Sequence, residues 1–77
     1  MFNLFPNSPY AATQTNLGVA YIELPVDDRE ANLRRAIACF EQALRVYTPE
    51  AAPRAYAVTQ TNLGTAYLQL PAGDGCS

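Results

Sequence analysis

Apolar side chains recur at the period of an α-helix in three stretches of this chain. The clearest stretch is the middle one, whose apolar residues lie three or four positions apart: Leu33, Ala36, Ile37, Phe40, Ala43, Leu44 and Tyr47. This spacing places them on one face of a helix, which we predict over residues 30–47. Asp27, three residues before Glu30, resembles a capping box at the start of this helix. Pro49 ends it, because the residue before a proline is disfavoured in helical conformation.

The first and third stretches are two copies of one sequence. Residues 10–25 (YAATQTNLGVAYIELP) and 56–71 (YAVTQTNLGTAYLQLP) are identical at 12 of 16 positions, with an offset of 46 residues. Helices are predicted over residues 9–24 and 54–70, and a proline ends each of them. In the first copy the predicted core stripe follows helical spacing: Tyr10, Gln14, Leu17, Tyr21 and Leu24, with Ala20 alongside.

The predicted organisation is all-α, because no segment alternates polar and apolar residues over the length of a strand. One and a half helical repeats occupy residues 9–71, preceded by an N-terminal extension at 1–8 and followed by a frayed tail at 72–77. Each copy carries a glycine in the middle of its helix, Gly18 and Gly64. Since such a glycine costs about 1 kcal/mol relative to alanine, we expect a neighbouring helix to approach closely at both.

The repeat pattern resembles a known family. The residues concerned are Asn16, Leu17, Gly18 and Tyr21 in the first helix and Ala36, Phe40, Ala43 and Leu44 in the second. They resemble the tetratricopeptide repeat, although that repeat has about 34 residues. The longer period here is similar to a bacterial variety with ATQ-NLG-AY repeats. The resemblance implies a short α-solenoid segment that acts as a non-catalytic protein–protein interaction or scaffolding module, whose partner is another protein, a peptide or a second copy.

The candidate binding surface is the face of the repeated helix opposite its predicted core stripe. At 100° per residue it comprises the following residues: Ala12, Thr15, Asn16, Val19, Glu23, Val58, Thr61, Asn62, Thr65 and Gln69. The resemblance implies that this face lines a concave peptide groove. None of these residues is a lysine or arginine, so we expect weak, salt-insensitive peptide binding and no clamp for a C-terminal carboxylate. The alternative is an ordinary solvated face.

Charge and composition exclude several classes of function. The net charge is −2, and the five positive residues, all arginines, are interleaved with acidic ones. A nucleic-acid partner is therefore not expected, since such binders carry a basic surplus. No segment has eighteen consecutive apolar residues, so no membrane span is predicted. The first ten residues carry no positively charged side chain, which does not fit a signal peptide, and a cytoplasmic location is expected by default.

The chain offers little catalytic chemistry. It has no histidine, so Ser–His and Cys–His nucleophile arrangements cannot form. Cys39 is predicted to be a small structural residue, with a thiol-dependent protein as a distant alternative. Asp27, Asp28 and Glu30 fit a solvated loop better than a metal site. We therefore predict no enzyme, no cofactor and no metal.

Self-association is the main alternative to peptide binding. The third helix has no following helix to cover it, so an apolar strip is expected to stay exposed: Leu63, Tyr67, Leu68 and Leu70. Solenoid ends normally carry polar capping residues. The chain is thus either a self-sufficient binding module or the end of a longer repeat array that forms a homo-oligomer.

Overall fold

A computed structural model describes residues 8–25 and 27–71 of the chain. This part contains three helices and no strand: α1 (Pro9–Glu23), α2 (Arg29–Leu44) and α3 (Pro53–Gln69). The all-α prediction is confirmed. The predicted bounds differ by at most three residues, and the largest difference is at the end of α2, where Tyr47 lies beyond a turn instead of in the helix. The predicted tail, with Cys76, and residues 1–7 of the predicted extension lie outside the described residues.

The helix starts follow from local hydrogen bonding. The Ser8 hydroxyl accepts a hydrogen bond from the Ala11 N–H at 3.3 Å, and Pro9 takes the first helical position of α1. At α2 the carboxylate of Asp28 accepts from the Ala31 N–H at 3.0 Å. The predicted capping residue, Asp27, was therefore wrong by one position. Asp28 is adjacent to the first helical residue, and only there does a side-chain oxygen reach the free N–H groups of the first turn.

Helix α2 lies at the centre of the fold and packs against both other helices, which contact each other much less. Its buried face is the predicted one: Leu33, Ala36, Ile37, Phe40 and Ala43 are buried. The first four of these form one apolar cluster with Ala66 of α3. A second cluster, at the other end of α2, combines Ala11, Ala43, Tyr47 and Ala52. Both clusters depend on α2, so this helix holds the domain together.

The core face of α1 differs from the predicted stripe. Tyr10, Leu17 and Leu24 are 51%, 42% and 44% exposed, whereas the buried residues of α1 are Ala11 and Gly18. Small residues face α2 because the two helices approach closely. Of the larger residues in the predicted stripe, Tyr21 does pack against the core cluster, as do Val19 and Ile22 beside it.

The close approach is seen most directly at Gly18. A Cβ atom there would lie 2.5 Å from Cε1 and 2.7 Å from Cζ of Phe40, whose ring is completely buried. The prediction of close packing is confirmed at Gly18. It is wrong at Gly64, where no atom of the described residues lies within 4 Å of a built Cβ. Helix α3 packs on α2 through another face, which leaves this glycine open to solvent.

The two copies of the repeated helix use opposite faces. In α3 the side facing the core is Thr59, Leu63, Ala66 and Leu70, of which Thr59 and Ala66 are fully buried and the leucines partly buried. The identical residues of α1 are all exposed: Thr13, Leu17, Ala20 and Leu24. The prediction of an exposed apolar strip is therefore correct for two of its four residues. Leu63 and Leu70 pack against the core, while Tyr67 and Leu68 are 52% and 86% exposed.

No helix in the described part of the chain combines the length and apolar character needed to cross a membrane.

Candidate functional site

A cleft of about 270 Å³ lies between the N-terminal halves of α1 and α3. We call it the α1/α3 cleft. Its lining residues come from both helices and from the turn after α2: Ala12, Thr15, Asn16, Tyr47, Arg54, Ala55, Val58 and Thr59. Four of them belong to the predicted binding face: Ala12, Thr15, Asn16 and Val58. Folding thus brings together side chains from the two sequence copies.

The lining of the cleft is largely apolar. Tyr47 is buried at its base, where it packs in the cluster with Ala11, Ala43 and Ala52. Ala12 and Val58 contribute methyl groups from the two walls. Such a lining favours the apolar part of a ligand, and a few polar groups then set its orientation.

The polar groups of the cleft differ in whether they form hydrogen bonds within the fold or are exposed at the rim. The hydroxyl of Thr15 donates to the Ala11 carbonyl at 3.0 Å and lies 3.4 Å from the hydroxyl of Thr59, so both threonines are engaged within the fold. Asn16 is exposed at the rim, and so is Arg54. In the described part of the chain, the amide of Asn16 and the guanidinium of Arg54 make no hydrogen bond and are therefore the polar groups that a ligand could meet.

Arg54 corrects the sequence-based expectation about charge. The predicted face contained no cation, but Arg54 lines the same cleft from the first turn of α3. The second copy of the repeated sequence begins at Tyr56, so Arg54 lies two positions outside it. A signal was nevertheless present, because Arg54 and Val58 are four positions apart and share one face of the helix.

The remaining predicted face residues lie outside the cleft. Thr61 and Asn62 line a separate depression of about 230 Å³ together with Ala57 and Val58. Val19 packs against the core cluster instead of facing solvent, so its assignment to an open binding surface was wrong. The cluster that Val19 contacts consists of four residues of α2 and Ala66 of α3. The other residues of the set lie apart from the cleft: Glu23, Thr65 and Gln69.

Gln69 takes part in a contact that joins the C-terminal ends of α1 and α3. The guanidinium of Arg29 donates to the carbonyl of Ile22 in the last turn of α1 and to the side-chain carbonyl of Gln69. A cation at a helix C-terminus is stabilising because the carbonyls there carry the negative end of the helix dipole. Nearby, the buried amide of Asn32 donates to the Tyr21 carbonyl at 3.4 Å. These contacts give Gln69 a structural role within the chain.

Cys39 is a free, buried thiol. Burial raises its pKa above the ordinary thiol value, because the charged thiolate is disfavoured away from water. The thiol is therefore protonated at neutral pH, and the thiolate is the nucleophilic form. Within residues 8–25 and 27–71, no three acidic, cysteine or histidine side chains are grouped so that they could hold a metal ion.

No protein-family model, curated protein or solved structure matches this chain.

Proposed function

We propose that this chain is a non-catalytic protein-interaction module that binds an extended peptide segment in the α1/α3 cleft. The observation that carries the proposal is the cleft, which gathers Ala12, Thr15, Asn16 and Val58 from two copies of one helix. Its methyl groups suit apolar side chains of a peptide. The exposed amide of Asn16 has both donors and an acceptor, which suits the N–H and C=O groups of an extended backbone.

Arg54 gives the proposed site a preference for a carboxylate. It lies in the first turn of α3, where Ala52 provides no side-chain cap and the backbone N–H groups carry the positive end of the helix dipole. A guanidinium pairs with a carboxylate through two parallel hydrogen bonds. We therefore expect an acidic or C-terminal carboxylate at this rim. Binding should weaken as salt is added, because exposed charges are screened.

The test is a display selection from randomised peptides that end in a free carboxylate, followed by affinity measurements with the selected peptide. Asn16→Ala and Arg54→Gln are each expected to weaken binding about tenfold, which corresponds to about 1.4 kcal/mol. The matched control is Asn62→Ala, since Asn62 is the sequence copy of Asn16 and lies outside the cleft. Arg34→Gln controls for the loss of an exposed arginine elsewhere.

Two results would contradict the proposal. One is a selection that yields no peptide. The other is a selected peptide whose affinity falls equally with Asn62→Ala and Asn16→Ala, which would remove the cleft as the site. An affinity that is independent of salt and of Arg54→Gln would leave the cleft in place but exclude the carboxylate contact.

The architecture we propose for this module is a tetratricopeptide-like solenoid segment. In this interpretation α1 and α2 form one complete repeat, and α3 is the first helix of the next. Two features support it: the 46-residue sequence repeat and the position of Phe40 over Gly18. The location we propose, the cytoplasm, rests on sequence composition alone.

A second candidate function is self-association as the end of a longer array. It is supported by the exposure of Tyr67 and Leu68 on α3. Sedimentation of the chain over a micromolar concentration range tests it, and a concentration-independent monomer would exclude it. A thiol-dependent activity is disfavoured, because Cys39 is buried and its raised pKa keeps the thiol protonated.

A further inference from the structure

Within residues 8–25 and 27–71, one largely apolar face of α3 is left uncovered, although the corresponding residues of α1 are covered. We call it the Gly64 face and define it by four residues: Ala57, Gly64, Tyr67 and Leu68. All four are exposed. Their counterparts in α1 are Ala11, Gly18, Tyr21 and Ile22, of which the first two are buried and the other two pack against the core. Three of the four pairs are identical, and the fourth exchanges isoleucine for leucine.

Helix α2 shows what fits such a face. Its Phe40 ring lies directly over Gly18, at distances that any side chain larger than hydrogen would prevent. Ala36 and Ala43, one turn to either side of Phe40, are completely buried. The surface that covers α1 is therefore an aromatic ring between two small residues on one face of a helix.

From this we propose that the Gly64 face binds an amphipathic helix of a partner protein that presents an aromatic side chain flanked by alanines, as α2 presents Phe40 to Gly18. Gly64 has nothing within 4 Å of its Cβ position. Among the described residues, the glycine therefore lowers helix stability without any packing in return. An aromatic ring seated over it would provide that packing. This binding does not depend on the α1/α3 cleft.

The charge distribution specifies the partner further. Arg54 is the one charged residue of α3, and it lies at the opposite end from Gly64 and Leu68. The charged residues of α2 likewise lie off its buried stripe, and the Glu30–Arg34 ion pair at 2.8 Å is exposed. The proposed contact is thus uncharged on both sides. Its affinity should change little with salt, in contrast to that of the peptide in the cleft.

The probe for this proposal is a synthetic peptide with the sequence of residues 27–47, capped at both ends, titrated into the isotope-labelled full chain. We expect saturable shifts of the Ala57, Gly64 and Leu68 amides at peptide concentrations up to about 1 mM. Replacing Phe40 by alanine in the peptide should weaken binding at least tenfold. Gly64→Leu in the chain should do the same, because its side chain fills the space that the aromatic ring needs.

The controls separate this site from the others. Ala20→Leu changes the exposed face of α1 and should leave the affinity unchanged, as should Arg54→Gln in the cleft. A thermal melt of Gly64→Leu checks that this variant is folded, which is expected because the position is open.

Three outcomes would overturn the proposal. In the first, the peptide does not bind. In the second, it binds but shifts the amide signals of Thr13 and Ala20 instead of that of Gly64. The third outcome is that the chain itself dimerises, that Gly64→Leu abolishes the dimer, and that the peptide does not compete. The occupant would then be a second copy of this chain and not a helix of the α2 type.

Discussion

Gly18 and Gly64 are the same residue of the repeated sequence in two different surroundings. Gly18 lies against the buried ring of Phe40, and Gly64 faces open space. The sequence alone predicted both as close contacts, because the pattern repeats and the packing does not. The mid-helix position of a glycine can be read from a sequence. Whether a neighbouring helix is present depends on the order of elements along the whole chain.

Alanine substitution at the two glycines should therefore change stability in opposite directions. Gly18→Ala is expected to lower the free energy of unfolding by about 1–3 kcal/mol, since the new methyl group overlaps the Phe40 ring. Gly64→Ala should raise it by up to about 1 kcal/mol through helix propensity. Urea unfolding followed by circular dichroism measures both. In a double-mutant cycle, Phe40→Leu should cost less beside Gly18→Ala than in the parent chain. Equal effects of the two alanines would contradict the described packing.

At the level of the helix, the sequence predicted more about α2 than about α1. Helix α2 is buried on one wide face, and its large apolar residues, such as Leu33 and Phe40, mark that face correctly. Helix α1 has apolar residues on two sides, and the predicted stripe followed the larger ones. The side that contacts α2 is centred on two small buried residues, Ala11 and Gly18, because close approach of backbones requires them. A pattern weighted by hydrophobicity does not detect this requirement.

The use of opposite faces by α1 and α3 can be tested by replacing each of four alanines with leucine. Ala11 and Ala66 are fully buried, whereas their sequence counterparts, Ala57 and Ala20, are exposed. Ala11→Leu and Ala66→Leu should each destabilise the fold by about 1–3 kcal/mol through overpacking. Ala57→Leu and Ala20→Leu should change it by no more than about 0.5 kcal/mol. If both helices used the same face, Ala57→Leu would be as harmful as Ala11→Leu, and thermal melts of the four variants distinguish the two arrangements.

In the candidate site, too, the sequence predicted the positions that depend on a single helix and not those that depend on contacts between elements. Ala12, Thr15, Asn16 and Val58 were predicted from helical angles, and the structure places them in one cleft. The contribution of Tyr47 depends on the turn after α2, and that of Arg54 on where α3 begins. Val19 was misplaced, because it packs against a cluster formed mainly by α2. Angular position within a helix is set by the sequence of that helix, whereas coverage by a second helix is not.

For the whole molecule, the exposed Gly64 face of α3 predicts that a chain with one more helix is more stable. We consider the chain extended after Pro71 by a copy of residues 26–47, which would follow α3 as α2 follows α1. The added helix should cover the Gly64 face and raise the melting temperature by about 10 °C or more, since each additional kcal/mol shifts it by about 4–8 °C in a domain of this size. Calorimetry measures the shift.

The matched control for that extension replaces the copied phenylalanine by alanine. This variant should gain much less, because the aromatic ring over Gly64 is the main new contact. Identical melting temperatures for the two extended chains would show that the added helix does not dock as α2 does.

The opposite faces of α1 and α3 also bear on how such a gene can change length. The exposed side of α1 has the same residues as the side of α3 that packs on α2. Conversely, the exposed side of α3 has nearly the same residues as the side of α1 that packs on α2. Recombination between the two coding copies would add or remove one 46-residue unit. We expect each junction produced in this way to join surfaces like those that pack in this chain, so that a single genetic event could lengthen the protein without a new interface having to evolve.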